Sequence, residues 1–156
     1  MKGVVLVTGG FGYLGGRIAT SIAQEADSLV RLASRKASPP PDWLPQAQTV
    51  AMDVLEPDTL GAALKGVRAV VHLAAANEIE SAADPKKALL VNTLGTLNLL
   101  QAAIKAGVER FLYFSTAHIY GAPLAGDITE RTLPRPVHPY AITHHAAEEF
   151  VLAAHD

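Results

Sequence analysis

The segment Thr8-Gly9-Gly10-Phe11-Gly12-Tyr13-Leu14-Gly15 constrains the fold of this chain more than any other. It directly follows Val4-Val5-Leu6-Val7, a run of strand length that is apolar on both faces. It directly opens a stretch in which Leu14, Ile18 and Ile22 recur at helical spacing, with Ala19, Ala23 and Ala26 on the neighbouring stripe. The glycines satisfy two patterns at once: Gly-x-Gly-x-x-Gly at 10, 12 and 15, and Gly-x-x-Gly-x-x-Gly at 9, 12 and 15. Such spacing permits a tight turn, lets backbone N–H groups approach a pyrophosphate, and lets helix and strand pack closely. The helix start adds unpaired donors and a positive dipole end. Gly9, Phe11, Gly12, Tyr13, Leu14 and Gly15 are therefore candidate holders of a dinucleotide's phosphates; the alternative is a glycine turn without a ligand.

The same strand-then-helix rhythm continues. Ser28 to Ala33, Ala69 to Leu73 and Arg110 to Phe114 are further buried-strand runs, with a weaker one at Gln48 to Met52. Between them, Leu60, Ala63 and Leu64 mark a short helix ending near Gly66. A long helix is predicted over 85–106, with Leu90, Leu94, Leu97, Leu100, Ala103 and Ile104 on one face and Gly107 as its stop. A last helix starts near Tyr140 and carries Ala146, Ala147, Phe150, Val151 and Ala154. Strict alternation implies right-handed crossovers and a parallel sheet covered on both faces. The expectation is one α/β domain over 1–156: a three-layer, Rossmann-type doubly wound sheet in strand order 3-2-1-4-5.

Composition narrows the class. The 156 residues are 49% hydrophobic and 18% charged, which gives enough apolar surface to offset ordering entropy and argues against disorder. A formal net charge of -2 offers no electrostatic footprint for nucleic acid or an anionic membrane. No apolar run reaches the roughly 18 residues of a membrane span. Cysteine is absent, which suits a cytoplasmic setting and removes thiolate metal sites. His138, His144 and His145 cluster in sequence, but no carboxylate stands at ligand spacing, so no metal is expected. His72, within an apolar strand, reads as a satisfied core residue, whereas His118 is a candidate to face substrate.

Dinucleotide type is read at the end of the second strand, where a carboxylate would accept the ribose 2′-hydroxyl of NAD. This chain has Ser34-Arg35-Lys36 there. Ser34 is a hydrogen-bond donor and two cations can meet a 2′-phosphate, so NADP is favoured over NAD.

Several motifs together resemble the extended short-chain dehydrogenase/reductase superfamily, in its NAD(P)-dependent epimerase/dehydratase group. They are the glycine turn, Met52-Asp53-Val54, His72-Leu73-Ala74-Ala75, Val91-Asn92-Thr93-Leu94-Gly95-Thr96, Phe114-Ser115-Thr116-Ala117-His118-Ile119-Tyr120-Gly121 and Pro139-Tyr140-Ala141-Ile142-Thr143-His144. The resemblance implies that Asp53 and Val54 sit at the adenine, that Leu73, Ala74 and Ala75 line the cofactor, and that Asn92 supports the active site. An Asn inside a Leu-rich helix also needs a partner on its own account, unless it faces solvent.

By the same resemblance, Tyr140 exchanges a proton with the substrate hydroxyl and Thr116, with Ser115 as a second candidate, hydrogen-bonds the same oxygen. The family's lysine, four residues after the tyrosine, is His144 here. The i, i+4 spacing keeps both on one helix face. A permanent charge is lost, because histidine titrates near 6.5 and lysine near 10.4. Three explanations stay open: a functional replacement, a dinucleotide-binding or sensing domain with impaired redox chemistry, or a local shift involving His145. The implied activity is hydride transfer at a carbinol carbon, with a nucleotide sugar as substrate and a ketone reductase as alternative. The resemblance further implies a substrate lobe that this chain lacks after Tyr140, and a homodimer formed by helices around 86–106 and 140–154. Without a sixth strand, Phe111 to Phe114 is expected to leave an aromatic sheet edge uncovered.

Overall fold

The computed structural model describes residues 3–25, 28–36 and 38–154; Ala26, placed above on the first helix's apolar stripe, lies outside them. The chain divides into two compact units, Met1–Ala74 with Asn98–Phe114, and Ala75–Leu97 with Ser115–Asp156.

The first unit is built on a five-stranded parallel sheet in the expected order, β3-β2-β1-β4-β5. Its strands are β1 (Gly3–Thr8), β2 (Ser28–Ser34), β3 (Gln48–Ala51), β4 (Val67–His72) and β5 (Arg110–Tyr113). The helix α1 (Tyr13–Ala23) follows β1 and α2 (Pro57–Leu64) follows β3. β1 is central, pairing β2 in register from Gly3↔Ser28 to Thr8↔Ala33 and β4 from Val5↔Ala69 to Thr8↔His72. Its uninterrupted apolar sequence has a simple cause: both faces are covered. On one face Leu6 and Val70 pack with Leu60, Ala63 and Leu64 of α2 and with Leu99 and Ala103. On the other, Val5, Val7 and Leu32 pack with Ala19 of α1 and with Leu44 and Ala47. A fully buried leucine such as Leu6 contributes about 1.5–3 kcal/mol. β5 is the last strand of the sheet, where Leu112 and Phe114 remain exposed while Phe111 packs against the core.

The second unit is helical. α3 (Glu78–Ala83) and α4 (Pro85–Ala88) lead into a π-helical turn, Leu89–Leu94; of the helix that follows, α5 (Gly95–Lys105), only the start to Leu97 falls in this unit's range, and the remainder, up to Gly107 with φ +73°, falls in the first unit's. The predicted single helix over 85–106 is thus interrupted. The π turn carries Asn92 and Thr93, whose side chains bond elsewhere in the unit; such insertions are frequent at functional sites. After a 3-10 turn, Ala117–Tyr120, α6 (Pro139–Ala153) completes the unit. No described helix is long and apolar enough to cross a membrane.

Candidate functional site

The glycine turn is set by contacts that exclude side chains. Gly9 has φ +70°, and a Cβ on it would lie 3.0 Å from both the Ala74 nitrogen and the Leu73 carbonyl carbon. A Cβ on Gly15 would fall on the Gly9 carbonyl oxygen and lie 2.9 Å from Gly10 Cα. Gly12 N–H donates to the Gly9 carbonyl at 3.0 Å, closing the turn. Gly12 also caps α1 without a side-chain bond, and no acidic residue stands in the first helical turn. The first N–H groups of α1 are therefore arranged to receive an anion, and the turn fits a dinucleotide pyrophosphate. Phe11, Tyr13 and Leu14 are exposed beside it, and Phe11, Gly12, Tyr13, Arg17 and Trp43 border an open groove of about 590 Å³.

Thr8 fastens the turn to the end of β4. Its hydroxyl oxygen accepts from the Leu73 and Ala74 N–H groups, both at 3.2 Å, so its single proton is directed to His72 Nδ1, 2.6 Å away. His72 is fully buried and bonded, a core histidine that orders the Leu73-Ala74 segment. Ser34, in contrast, donates its hydroxyl to the Lys36 carbonyl, which leaves Arg35 and Lys36 as the exposed donors at the end of β2. Asp53 accepts from Leu55 N–H at 2.9 Å, and Thr59 bonds its backbone. The Val54 side chain is buried in the core and its carbonyl accepts from Asn98, so Val54 can meet a ligand only through its backbone. Ala75, which opens the second unit's range, is exposed.

In the second unit Asn92 is 1% exposed. Its Oδ1 accepts from Ala76 N–H at 2.7 Å, and its Nδ2 donates to the Ala76 carbonyl at 3.3 Å and to Thr143 Oγ1 at 3.1 Å. Thr93 donates to the Thr143 carbonyl at 2.9 Å, and Thr96 to the Asn92 carbonyl at 2.6 Å. Asn92 is thus a buried tie between the segment after Ala75 and α6. Asn92→Ala strands the Ala76 N–H, and urea denaturation is expected to show a loss of about 1–3 kcal/mol.

Tyr140 stands on the first turn of α6, whose N-cap is His138: its Nδ1 accepts from Ala141 N–H at 3.3 Å. Pro139 at the first helical position fits the start. Thr116 Oγ1 accepts from His118 N–H at 3.3 Å and its side chain bears on the Tyr140 phenol, while the Ser115 hydroxyl is buried without a hydrogen-bond partner among the described residues. Burial pushes the phenol above its ordinary value; the Thr116 side chain opposes this and the Glu78 carboxylate adds to it. His144 is 2% exposed, its ring centroid 4.2 Å from that of Tyr140, and its Nδ1 donates to the Tyr140 carbonyl at 2.9 Å. Burial pushes His144 below the ordinary histidine value, against the backbone bond. The single Thr143 hydroxyl proton is shared between the Pro139 carbonyl at 2.9 Å and the Tyr140 carbonyl at 3.0 Å. His138 stacks over Tyr140 at 6.3 Å and meets His118 edge-on at 5.3 Å, and its Nε2 lies 3.9 Å from Glu78. His145 only approaches Glu149, at 3.7 Å on the surface of α6.

The unit therefore brings together Thr116, Tyr140, His144 and, through Thr143, Asn92. Sequence reasoning weighed His138 only as a metal ligand, quoted Thr143 only within a motif, and did not single out Glu78. The capping pair Asn77 and Glu80, which brackets Glu78, was the signal available for the last. Among the described residues no three His or acidic side chains are grouped to hold a metal ion.

The family described as NAD dependent epimerase/dehydratase matches residues 5–156. GDP-6-deoxy-D-mannose reductase of Pseudomonas aeruginosa is 44% identical over 105 residues, covering 64% of this chain and 34% of the relative. A Mycobacterium tuberculosis 3 beta-hydroxysteroid dehydrogenase/Delta 5→4-isomerase is 35% identical over 161 residues, covering 97% of this chain and 42% of the relative. Among solved structures, the dTDP-glucose 4,6-dehydratase DesIV of Streptomyces venezuelae, with NAD bound, superposes with a TM-score of 0.83 at 30% identity. That match covers 97% of this chain and 51% of the other. The chain spans about half the length, or less, of the relatives it matches.

Proposed function

Since the chain belongs to the NAD-dependent epimerase/dehydratase family, we propose that it serves hydride transfer at a carbinol carbon of a nucleotide sugar. The observation that carries this reading is the half-buried Tyr140 phenol, influenced by Thr116, on a helix tied by Asn92 and packed against His144. A bound nicotinamide dinucleotide supplies the hydride acceptor or donor. The chain's own residues do the remainder. The first N–H groups of α1 hold the phosphates, Tyr140 exchanges the proton of the substrate oxygen, and Thr116 hydrogen-bonds that oxygen. His144 orders the first turn of α6 through the Tyr140 carbonyl. The Pseudomonas reductase and the Streptomyces dehydratase, both named for sugar nucleotides, support that substrate class.

NADP is the favoured dinucleotide, because Arg35 and Lys36 are exposed at the end of β2 and no carboxylate stands there. The test is turnover of a keto-sugar nucleotide with NADPH and with NADH, together with the Arg35→Ala/Lys36→Ala double variant. The expected result is turnover with both dinucleotides, the double variant weakening NADPH about tenfold and leaving NADH unchanged. Tighter NADH binding by the unaltered chain contradicts the assignment.

The proposal includes a cytoplasmic homodimer, supported by the exposed apolar side chains of Leu89, Leu90 and Leu94 on the π turn and of Ile142 and Phe150 on α6. His144 favours a second reading, a dinucleotide-binding or sensing domain with impaired chemistry, since a buried imidazole replaces a permanent cation. The mycobacterial relative supports a third, reduction of a ketone outside the sugar class.

A further inference from the structure

We propose that Thr143 is a positioning residue of this site: its buried hydroxyl joins the tie made by Ala76 and Asn92 to the turn of α6 on which Tyr140 stands, and so sets the aim of the phenol. The proposal rests on the hydride-transfer reading above. It adds a residue, away from the reacting atoms, on which the rate of that step depends.

Each bond in the chain has a forced direction. The Ala76 N–H can only donate, and Asn92 Oδ1 receives it at 2.7 Å. That fixes the amide, so Asn92 Nδ2 points its protons at the Ala76 carbonyl, at 3.3 Å, and at Thr143 Oγ1, at 3.1 Å. An amide nitrogen cannot accept, so Thr143 must accept there. Its single proton is left for the Pro139 and Tyr140 carbonyls, at 2.9 and 3.0 Å. Threonine commonly turns its hydroxyl back onto the preceding helical turn. Here Thr143 is 4% exposed, and the oxygen also accepts from a residue 51 positions earlier in the chain. Thr93 donates to the Thr143 backbone carbonyl at 2.9 Å, so two consecutive residues of the π turn grip the same threonine.

The far end of this chain is the first turn of α6. The Tyr140 carbonyl takes both the Thr143 hydroxyl and, at 2.9 Å, His144 Nδ1. The phenol oxygen lies at the tip of the side chain that this backbone carries, so a tilt of the turn displaces it. Proton transfer requires heavy atoms about 2.6–3.2 Å apart, and a misplacement of about 1 Å costs on the order of 100-fold in rate. Thr96 is the internal comparison. It is fully buried, and its hydroxyl donates at 2.6 Å to the Asn92 carbonyl, four residues back along its own helical stretch.

The test compares Thr143→Val, Thr143→Ser and Thr96→Val in the protein as made in the cell. The measurements are reduction of a keto-sugar nucleotide by NADPH, dinucleotide titration, melting temperature and the ring signal of 13Cζ-labelled tyrosine, assigned with Tyr140→Phe. Both valine variants are expected to melt earlier, because each loses a buried hydrogen bond. Thr143→Val is expected to lower kcat about 10- to 100-fold, with KM and dinucleotide affinity unchanged, and to shift the Tyr140 signal. Thr143→Ser is expected to restore kcat and signal, and Thr96→Val to leave both at their unaltered values. Thr143→Ala carries the same comparison where Thr143→Val does not fold. An unchanged kcat and an unmoved Tyr140 signal in the folded variant, or an equal loss of kcat in Thr96→Val, overturns the proposal and leaves the hydride-transfer reading standing. Unaltered protein that binds dinucleotide and turns nothing over overturns that reading and the proposal with it.

Discussion

Tyr140→Phe is expected to lower dinucleotide-dependent turnover by about 100- to 10,000-fold, the usual contribution of a positioned proton donor. The substitution removes one oxygen and keeps the ring, so the stack with His138 and the 4.2 Å contact with His144 survive. The α6 start, held by the His138 cap and by the Asn92 and Thr93 bonds to Thr143, does not involve the phenol. The melting temperature and dinucleotide affinity are therefore expected to stay at their unaltered values while kcat falls. A kcat unchanged by the substitution means that the proton comes from elsewhere.

The second large effect is at Gly15. A methyl there falls on the Gly9 carbonyl oxygen, with Gly9 carbonyl carbon at 2.8 Å and Gly10 Cα at 2.9 Å. All three neighbours are backbone of the turn itself, so relief requires moving the turn away from the α1 start. The expected cost of Gly15→Ala is about 1–3 kcal/mol of stability. Dinucleotide affinity is expected to fall at least about 100-fold, equivalent to losing one or two charge-assisted hydrogen bonds. Gly61→Ala is the natural contrast. Gly61 lies inside α2 with nothing within 4 Å of its Cβ position, so its replacement is expected to stabilise the fold by about 0.5–1 kcal/mol. Chemical denaturation of the two variants, with calorimetric titration of dinucleotide, checks both signs.

The sheet was readable from the chain because its strands, the weaker Gln48–Ala51 apart, are short mainly apolar runs, and alternation with helices leaves few topologies. The glycine turn was readable for a related reason: its spacing is forced by close backbone approach, which no other residue type permits at Gly15. The helical unit was less so. Leu90, Leu94, Leu97 and Leu100 suggest one continuous helix, yet the stretch Leu89–Leu94 is a π turn. Periodicity of apolar residues reports a buried face, and the face survives one inserted residue, so the pattern carries no trace of the insertion. What marks it is the polar pair Asn92 and Thr93, whose bonds reach Ala76 and Thr143 across 16 and 50 residues of sequence. Partners at such separation are invisible to local rules.

The surroundings of Tyr140 show the same division. Its spacing to His144 was legible, as was the loss of a permanent cation. That Glu78 bears on the phenol was not, because α3 is a six-residue polar helix with no apolar stripe. His138 is an unusual N-cap, since Ser, Thr, Asp and Asn are preferred there, and only Pro139 behind it announced the helix start. Ser34 was legible as a donor, but its hydroxyl donates to the Lys36 carbonyl.

Trp43, the single tryptophan of the chain, offers the most direct check that the glycine turn holds a nicotinamide dinucleotide. It borders the groove beside Phe11 and Gly12, its ring 3.4 Å from where a Cβ on Gly16 would sit. Reduced nicotinamide absorbs where tryptophan emits, so binding should quench Trp43 fluorescence by energy transfer. The expected result is saturable quenching by NADPH at lower concentration than by NADH, lost in Gly15→Ala. No saturable quenching by either dinucleotide, or quenching that Gly15→Ala leaves unchanged, would contradict dinucleotide binding at this turn.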